Sequence, residues 1–127
     1  MASYIDGFAF PIATERLDEY KVVAEQVALI YKEHGALDYV EFLGDDLERN
    51  GTASFPQVLA AAENETVVFG WIVYESQESR ERINRDIETD PRIHDLVAPL
   101  VTSPKPVFDP ARMAYGGFKP LVRLPTK

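Results

Sequence analysis

Two side chains of this 127-residue chain stand where they could transfer a proton, His34 and Asp6. His34 ends an apolar stripe of helical spacing, where a histidine can act as a general base or simply bond the last carbonyl groups of the helix. Asp6 interrupts an apolar strand, so its carboxylate needs an ion pair or hydrogen bonds. Arg112, Arg123 or a tyrosine hydroxyl could supply that partner. Asp6 is therefore either a catalytic acid or half of a structural pair.

Several aromatic residues are candidates for the walls of a ligand pocket. Trp71 lies mid-strand among apolar residues, where a tryptophan most often packs in a core or anchors an interface. Tyr4 and Tyr115 lie in the first and last predicted strands, and Glu41 shares a face of the second strand with Tyr39. Tyrosines that line a cleft fit recognition of a small aromatic ligand, but they fit a dimer core equally well. We assign catalysis to His34 and Asp6, and ligand binding to Tyr4, Trp71, Tyr115 and Glu41.

No motif in the sequence predicts a cofactor or a metal ion. The chain has no cysteine, which excludes thiolate nucleophiles, zinc–thiolate sites and disulfides. Serine-nucleophile motifs, phosphate-binding glycine loops and dinucleotide-binding fingerprints are also missing. His34, His94 and one carboxylate could form a two-histidine metal site, but their spacing matches no motif. We therefore expect no cofactor and no metal.

The charge of the chain argues against a nucleic-acid partner. Thirteen basic and 21 acidic residues give a net charge of −8, so phosphate groups would be repelled. The three arginines within residues 80–85 alternate with acidic residues that cancel their field. The N-terminal segment lacks the features of a signal peptide, and no apolar run approaches the roughly 20 residues that span a bilayer. We expect a cytoplasmic protein that binds neither nucleic acid nor membrane.

The elements that position these residues alternate between strands and helices. Strands are predicted at residues 3–10, 37–43, 66–74 and 113–124, and helices at residues 15–34, 55–62 and 77–90. Thr14 is the expected N-cap of the first helix, and Pro11 ends the first strand. Residues 91–112 contain five prolines and no periodicity, which predicts a long loop. This order predicts one α+β domain over residues 1–127, a ferredoxin-like βαββαβ fold with a four-stranded antiparallel sheet.

The third predicted strand is apolar on both faces. Val67, Phe69, Trp71 and Val73 alternate along it with Val68, Gly70, Ile72 and Tyr74. Two long helices can cover only one face of the sheet, so the other face needs a second cover. A second copy of the chain is the simplest cover, because a two-fold pair of identical sheets is self-complementary. The alternative is that the proline-rich segment 91–112 folds back over this face.

Six segments of the chain closely resemble the YbaA-like family, a bacterial family of unknown function. They are YIDGFAFPI, KEHGALDYVEFLGDD, TASFPQ, ETVVFGWIVYES, DPRI and MAYGGFKPLV, and they run through nearly the whole of residues 3–124. The resemblance implies the dimeric α/β-barrel superfamily, in which two ferredoxin-like sheets pack face to face, and hence a homodimer. It implies no reaction, since the superfamily includes cofactor-free monooxygenases, haem-degrading oxygenases, isomerases and non-catalytic ligand sensors.

We therefore expect a homodimer that binds a small molecule in a pocket between sheet and helices. It is either a cofactor-free enzyme of the oxygenase or isomerase kind, or a non-catalytic protein that senses a ligand or serves as a structural partner. One observation separates these functions. An enzyme has a concave pocket with convergent polar groups, whereas an interaction module can be filled to native density.

Overall fold

The computed structural model describes residues 4–102 and 104–125. Its strands are β1 (Tyr4–Ala13), β2 (Asp38–Leu43), β3 (Glu65–Tyr74) and β4 (Ala114–Phe118). Its helices are α1 (Leu17–Glu33), α2 (Phe55–Val58), α3 (Gln77–Glu88) and α4 (Pro91–Val101), with short 3₁₀ turns at Thr14–Arg16 and Pro110–Arg112. The predicted start of the first strand at residue 3 lies outside the described residues. No helix in the described ranges is both long and apolar enough to cross a membrane.

The four strands form one antiparallel sheet in the order β2-β3-β1-β4. The register pairs Asp6 with Ile72 and Phe8 with Gly70 between β1 and β3, and Glu41 with Gly70 between β2 and β3. Side chains at paired positions point to the same face, so Asp6, Phe8 and Glu41 share one face of the sheet. This arrangement confirms the ferredoxin-like βαββαβ prediction, with α4 added between α3 and β4.

The core lies between the sheet and the helices α1, α3 and α4. Phe10, Ile12 and Tyr74 of the sheet and Ile83 of α3 are fully buried there, and Leu100 of α4 joins the same cluster. Burial of each large apolar side chain stabilises the fold by about 1.5–3 kcal/mol. We name this helix-covered side of the sheet the inner face.

The opposite side, which we name the outer face, is also apolar. It carries Val40, Phe42, Phe69, Trp71 and Phe118, because these residues alternate with inner-face residues along their strands. Phe42, Phe69 and Phe118 are 51%, 42% and 56% exposed, so large aromatic rings meet solvent. The observed register therefore confirms that the third strand is apolar on both faces.

Only one end of the outer face is covered by the chain itself, among the residues that the structure describes. Phe55 of α2 lies with its ring centroid 5.7 Å from that of Phe69, and Val67 and Pro11 nearby are buried. The capping box of α2 holds this segment, because Ser54 and Gln57 each bond the backbone N–H group of the other. The centre and the far end of the outer face remain exposed.

The prediction of a loop over residues 91–112 is wrong, because Pro91–Val101 form α4. Asp90 caps this helix and Pro91 occupies its first turn, where the missing N–H group of proline has no helical partner to lose. Ile93 and Leu100 then face the core, so α4 packs on the inner face. The alternative in which this segment covers the outer face is therefore excluded.

Several element ends also differ from the prediction, and the second helix, for example, ends at Val58 rather than at residue 62. The first strand continues through Pro11 to Ala13. The proline is tolerated because β4 pairs with β1 only as far as Ala9, so no hydrogen bond to β4 is lost at Pro11. Thr14 begins a 3₁₀ turn rather than capping α1, which has no side-chain cap. The last strand ends at Phe118, well before residue 124.

Candidate functional site

A cleft of about 540 Å³ lies between α1 and β2, which is one of the two edge strands of the sheet. Tyr20 and Ala24 of α1 form one wall, and Tyr39, Glu41 and Leu43 of β2 form the other. Charged side chains line the α1 side of the cleft as well: Asp18, Lys21 and Glu25. The site is therefore apolar in its walls and polar at a few points, which is the usual character of a ligand site.

An inner cavity of about 170 Å³ lies beside this cleft, under α1 and α4. Its floor is formed by Phe8 and Ile72 of the sheet, and its roof by apolar residues of both helices. The two spaces adjoin, since Tyr20, Ala24 and Tyr39 line both of them. Together they leave unfilled volume within the layer between sheet and helices.

Glu41 is the polar centre of the cleft. Tyr20 donates its hydroxyl hydrogen to Glu41 Oε1 over 2.5 Å, and Tyr39 donates to Oε2 over 2.9 Å. Burial raises the pKa of the Glu41 carboxyl above its ordinary value of 4.5, although the two hydroxyl groups act in the opposite direction. Burial and the adjacent carboxylate also raise the pKa values of both tyrosines, which therefore remain hydrogen-bond donors.

Gly70 allows Glu41 to lie where it does. This glycine faces Glu41 across the β2–β3 pair and Phe8 across the β1–β3 pair. A Cβ atom at Gly70 would lie 2.6 Å from the carbonyl oxygen of Val40, 2.8 Å from Phe8 Cζ and 3.0 Å from Glu41 Cγ. The missing side chain thus makes room for the aromatic floor and the carboxylate to approach each other.

Asp6 forms a second polar cluster on the same inner face. Its side chain is fully buried, and its Oδ2 atom accepts hydrogen bonds from Tyr74 (2.9 Å), Tyr115 (2.9 Å) and Asn84 (3.2 Å). Arg80 of α3 completes the cluster with an ion pair to Oδ1 at 2.8 Å. Burial is the largest cause that raises the pKa of Tyr74, with the Asp6 charge adding to it. Every face of this carboxylate is occupied by protein donors.

Comparison with known proteins identifies the family but not an activity. A family model described as a protein of unknown function (DUF1428) matches residues 3–103. The chain belongs to this family. The uncharacterized protein YbaA of Escherichia coli (strain K12) is 35% identical over 119 residues, which cover 94% of this chain and 97% of the relative. The same values hold for uncharacterized YbaA of Shigella flexneri, and they confirm the resemblance seen in the sequence.

Solved structures show that this DUF1428 protein shares its fold with proteins of low sequence identity. A monooxygenase from the gene ActVA-Orf6 of Streptomyces coelicolor, in complex with Nanaomycin D, aligns with a TM-score of 0.59 at 15% identity, covering 99% of this chain and 94% of that one. A nipsnap family protein of unknown function from Agrobacterium tumefaciens gives 0.56 at 13% identity, covering 94% and 88%. These likenesses establish the fold alone.

Tyr4 and Tyr115, two of the predicted ligand-binding residues, belong to the Asp6 cluster of this DUF1428 protein. The ring of Tyr4 lies under the Arg80 guanidinium, 5.6 Å from it, and packs against Gly117, where a side chain would overlap the ring. Tyr115 stacks on Phe8 with centroids 6.0 Å apart, so its ring also lines the inner cavity. Tyr115 therefore joins the Asp6 cluster to the cavity.

His34 lies at the junction of α1 and α4, away from both spaces. Its Nε2 atom is 2.9 Å from Asp90 Oδ2, and Asp90 also accepts hydrogen bonds from Arg92. Arg92 first, and then His34, hold the pKa of the Asp90 carboxyl well below its ordinary value. His34 thus connects two helix ends. The second histidine, His94, is exposed on α4.

Trp71 lies on the outer face, on the opposite side of the sheet from the cleft. Its ring centroid is 5.3 Å from that of Phe42 and 5.9 Å from that of Phe69. The structure therefore brings Asp6, Tyr4 and Tyr115 together, sets Glu41 in the cleft and separates His34 and Trp71 from both. Sequence reasoning missed Tyr20, Gly70 and Arg80, and the only available signal was the position of Tyr20 in the apolar stripe of α1.

Proposed function

We propose that this protein binds a flat, largely apolar small molecule beneath α1 and does so as a homodimer. The binding proposal rests on the cleft of about 540 Å³ beside the inner cavity of about 170 Å³, with Glu41 between two tyrosines at their boundary. Ligand sites usually enclose about 300–1,000 Å³ and combine apolar walls with a few convergent polar groups. A purely structural domain would fill such space to native density.

The shape of the walls supports a planar ligand. Aromatic rings of Phe8, Tyr20, Tyr31, Tyr39 and Tyr115 surround the inner cavity, and stacked or edge-on contacts with such rings favour flat molecules. The structural neighbour from Streptomyces coelicolor holds Nanaomycin D, which supports small-molecule binding by this fold. That likeness is one of fold, so the binding proposal depends on the cleft itself.

The ligand site suits either a cofactor-free enzyme of the oxygenase or isomerase kind or a non-catalytic ligand sensor. Glu41 favours the enzyme, because burial raises the pKa of its carboxyl group and makes the carboxylate a better proton acceptor near neutral pH. Asp6 and His34, the predicted catalytic pair, do not line the cleft. Asp6 reaches the inner cavity only through Tyr115, so Glu41 is the proposed proton acceptor.

A pair of matched substitutions on α1 tests the binding site. Ala24 lines both spaces, whereas Gln26 on the same helix is exposed and lines neither. In fluorescence titrations with naphthalene, we expect saturable binding to the wild type and to Gln26→Phe, and at least tenfold weaker binding to Ala24→Phe. Circular dichroism verifies that both variants fold. Equal binding by both variants, or no binding to the wild type, would reject the site.

The homodimer proposal rests on the exposed aromatic rings of the outer face. Phe42, Phe69 and Phe118 are about half exposed on a sheet whose helices all pack on the other side, apart from the short α2 among the described residues. Contiguous apolar patches of this kind mark interaction sites on folded proteins. A second copy fits this patch by two-fold symmetry, since the same rings would face each other.

Sedimentation equilibrium at micromolar concentration tests the dimer. We expect twice the mass of one chain for the wild type, and the mass of one chain for Phe69→Asp, because the substitution buries a charge in the interface. Val22→Asp serves as the control, since Val22 is 62% exposed on α1 and lies outside the outer face. A wild-type protein that sediments as a single chain would reject the homodimer.

A further inference from the structure

Glu41 retains the capacity to bind a ligand, although two tyrosines already contact it. A carboxylate has about four acceptor positions, and the hydroxyl groups of Tyr20 and Tyr39 occupy one on each oxygen. Within the described ranges, no salt bridge joins Glu41 to a lysine or an arginine. Because Glu41 lines the cleft, its free acceptor positions are within reach of a molecule bound there.

The donors around Glu41 are already committed. Tyr20 and Tyr39 each carry one hydroxyl hydrogen, and both hydrogens point to the carboxylate. Next to Glu41, the cleft therefore offers hydrogen-bond acceptors and no free donor. A ligand group that only accepts hydrogen bonds, such as a carboxylate, would meet Glu41 as an unfavourable neighbour, whereas a hydroxyl group would satisfy it.

We propose that the cleft selects flat aromatic molecules that carry a neutral hydroxyl group, of the phenol or enol class, with Glu41 as the acceptor of the ligand hydroxyl hydrogen. This assignment rests on the proposed function, because it needs a ligand in the cleft. A neutral hydroxyl fits better than a cation, since a charged group would lose its hydration between the apolar walls. Tyr20 and Tyr39 act as positioning residues that hold the carboxylate towards the cleft.

Three probes of the same shape separate this assignment from simple binding of apolar molecules. Naphthalene carries no polar group, 2-naphthol adds a hydroxyl donor, and 2-naphthoic acid adds a carboxylate that only accepts at neutral pH. We expect the wild-type protein to bind 2-naphthol about tenfold more tightly than naphthalene, which is the scale of one hydrogen bond to a charged group. We expect 2-naphthoic acid to bind more weakly than 2-naphthol, because its carboxylate cannot donate a hydrogen to Glu41.

Substitutions of Glu41 then locate the source of the preference. In Glu41→Leu, the ratio of the affinities for 2-naphthol and naphthalene should fall to about one, because the acceptor of the hydroxyl hydrogen is gone. Glu41→Gln retains one acceptor and should keep part of the preference, and it replaces the leucine variant if that variant fails to fold. Glu48→Gln is the matched control, since Glu48 is an exposed glutamate that lines neither the cleft nor the inner cavity. This control should keep the full preference.

The outcomes distinguish the two proposals. Naphthalene and 2-naphthol binding with equal affinity to the wild type, or a preference that survives in Glu41→Leu, would overturn the hydroxyl assignment and leave the binding site intact. Failure of all three probes to bind would overturn the binding site and the assignment together. A tenfold preference that disappears only with Glu41 would establish both.

Discussion

Asp6 and Glu41 lie on the same face of one sheet, on strands that β3 separates, yet their surroundings differ. Asp6 is fully buried and bonded to four side chains, including the guanidinium of Arg80. Glu41 is half-buried, bonded to two tyrosine hydroxyls, and lines a cleft. A carboxylate on the inner face of the sheet is therefore structural when a cation and several hydrogen-bond donors enclose it. A carboxylate that lines a cavity, by contrast, keeps acceptor positions that a ligand can reach.

The largest expected effect comes from removing Asp6. Asp6→Ala would leave Arg80, Tyr74, Tyr115 and Asn84 without their shared acceptor, and breaking a buried ion pair costs about 3–5 kcal/mol of folding free energy. Urea unfolding measures this loss. Glu41→Gln, which removes no ion pair, serves as the comparison and should cost far less. A loss below about 1 kcal/mol in Asp6→Ala would contradict a structural role for the Asp6 cluster.

A smaller effect is expected when a methyl group is added at Gly70. The new Cβ atom would lie 2.6 Å from the backbone oxygen of Val40, so β2 must shift, at a cost of about 1–3 kcal/mol. The shift should also move Glu41 and weaken binding of 2-naphthol. Gly116→Ala is the matched control, because its Cβ would meet only Phe118, at 3.7 Å. Thermal unfolding measures the stability of both variants. Equal losses of stability would contradict a special role for Gly70.

The pH dependence of stability gives a second comparison of carboxylates, between Glu41 and Glu65. Because the folded protein raises the pKa of Glu41, it binds that proton more tightly than the unfolded chain does. The contribution of Glu41 to the stability of the wild-type fold therefore falls as the pH rises from about 4.5 through the raised pKa. Relative to wild type, Glu41→Gln should be more stable at pH 7 than at pH 4, as measured by urea unfolding.

For Glu65 we expect the opposite dependence of stability on pH. Arg112 holds the pKa of Glu65 below 4.5 through two hydrogen bonds, so this contribution is present above that pH and is lost as pH falls through the lowered pKa. Relative to wild type, Glu65→Gln should be less stable at pH 7 than at low pH. If both variants show the same pH trend, the burial argument for Glu41 is contradicted.

The smallest effect is expected at His34, which pairs with the carboxylate of Asp90 at a part-buried helix junction. Glutamine can still donate a hydrogen bond to Asp90, so His34→Gln should lower the melting temperature less than Gly70→Ala does. Because His34 lies outside the cleft, binding of naphthalene and 2-naphthol should not change. A loss of binding in this variant would show that His34 contributes to the ligand site.

The fold could be predicted from the sequence because its signals are periodic. The two-residue period of β3 predicts two apolar faces, and the apolar stripe of helical spacing that ends at His34 predicts α1. The prediction failed at prolines. Pro91 reads as a loop residue in isolation, but next to the capping Asp90 it starts a helix.

The site was less accessible to sequence reasoning, for a geometric reason. Glu41 and Tyr39 are two residues apart on one strand, so their shared face follows from the pleat. Tyr20 and Arg80 reach their carboxylates from helices, and helix spacing gives no information on how a helix docks over a sheet. Arg80 also stands among acidic neighbours that suggest a solvated surface. Trp71 had two possible faces, and only the register decides between them.

The most direct test of the ligand site is a map of amide shifts in ¹⁵N-labelled protein as 2-naphthol is added. We expect the perturbed amides to cluster on α1 around Tyr20 and Ala24 and on β2 around Tyr39 and Glu41, since these residues line the cleft. Shifts confined to Phe69, Trp71 and their neighbours on the outer face, or to residues around Arg80, would contradict the account.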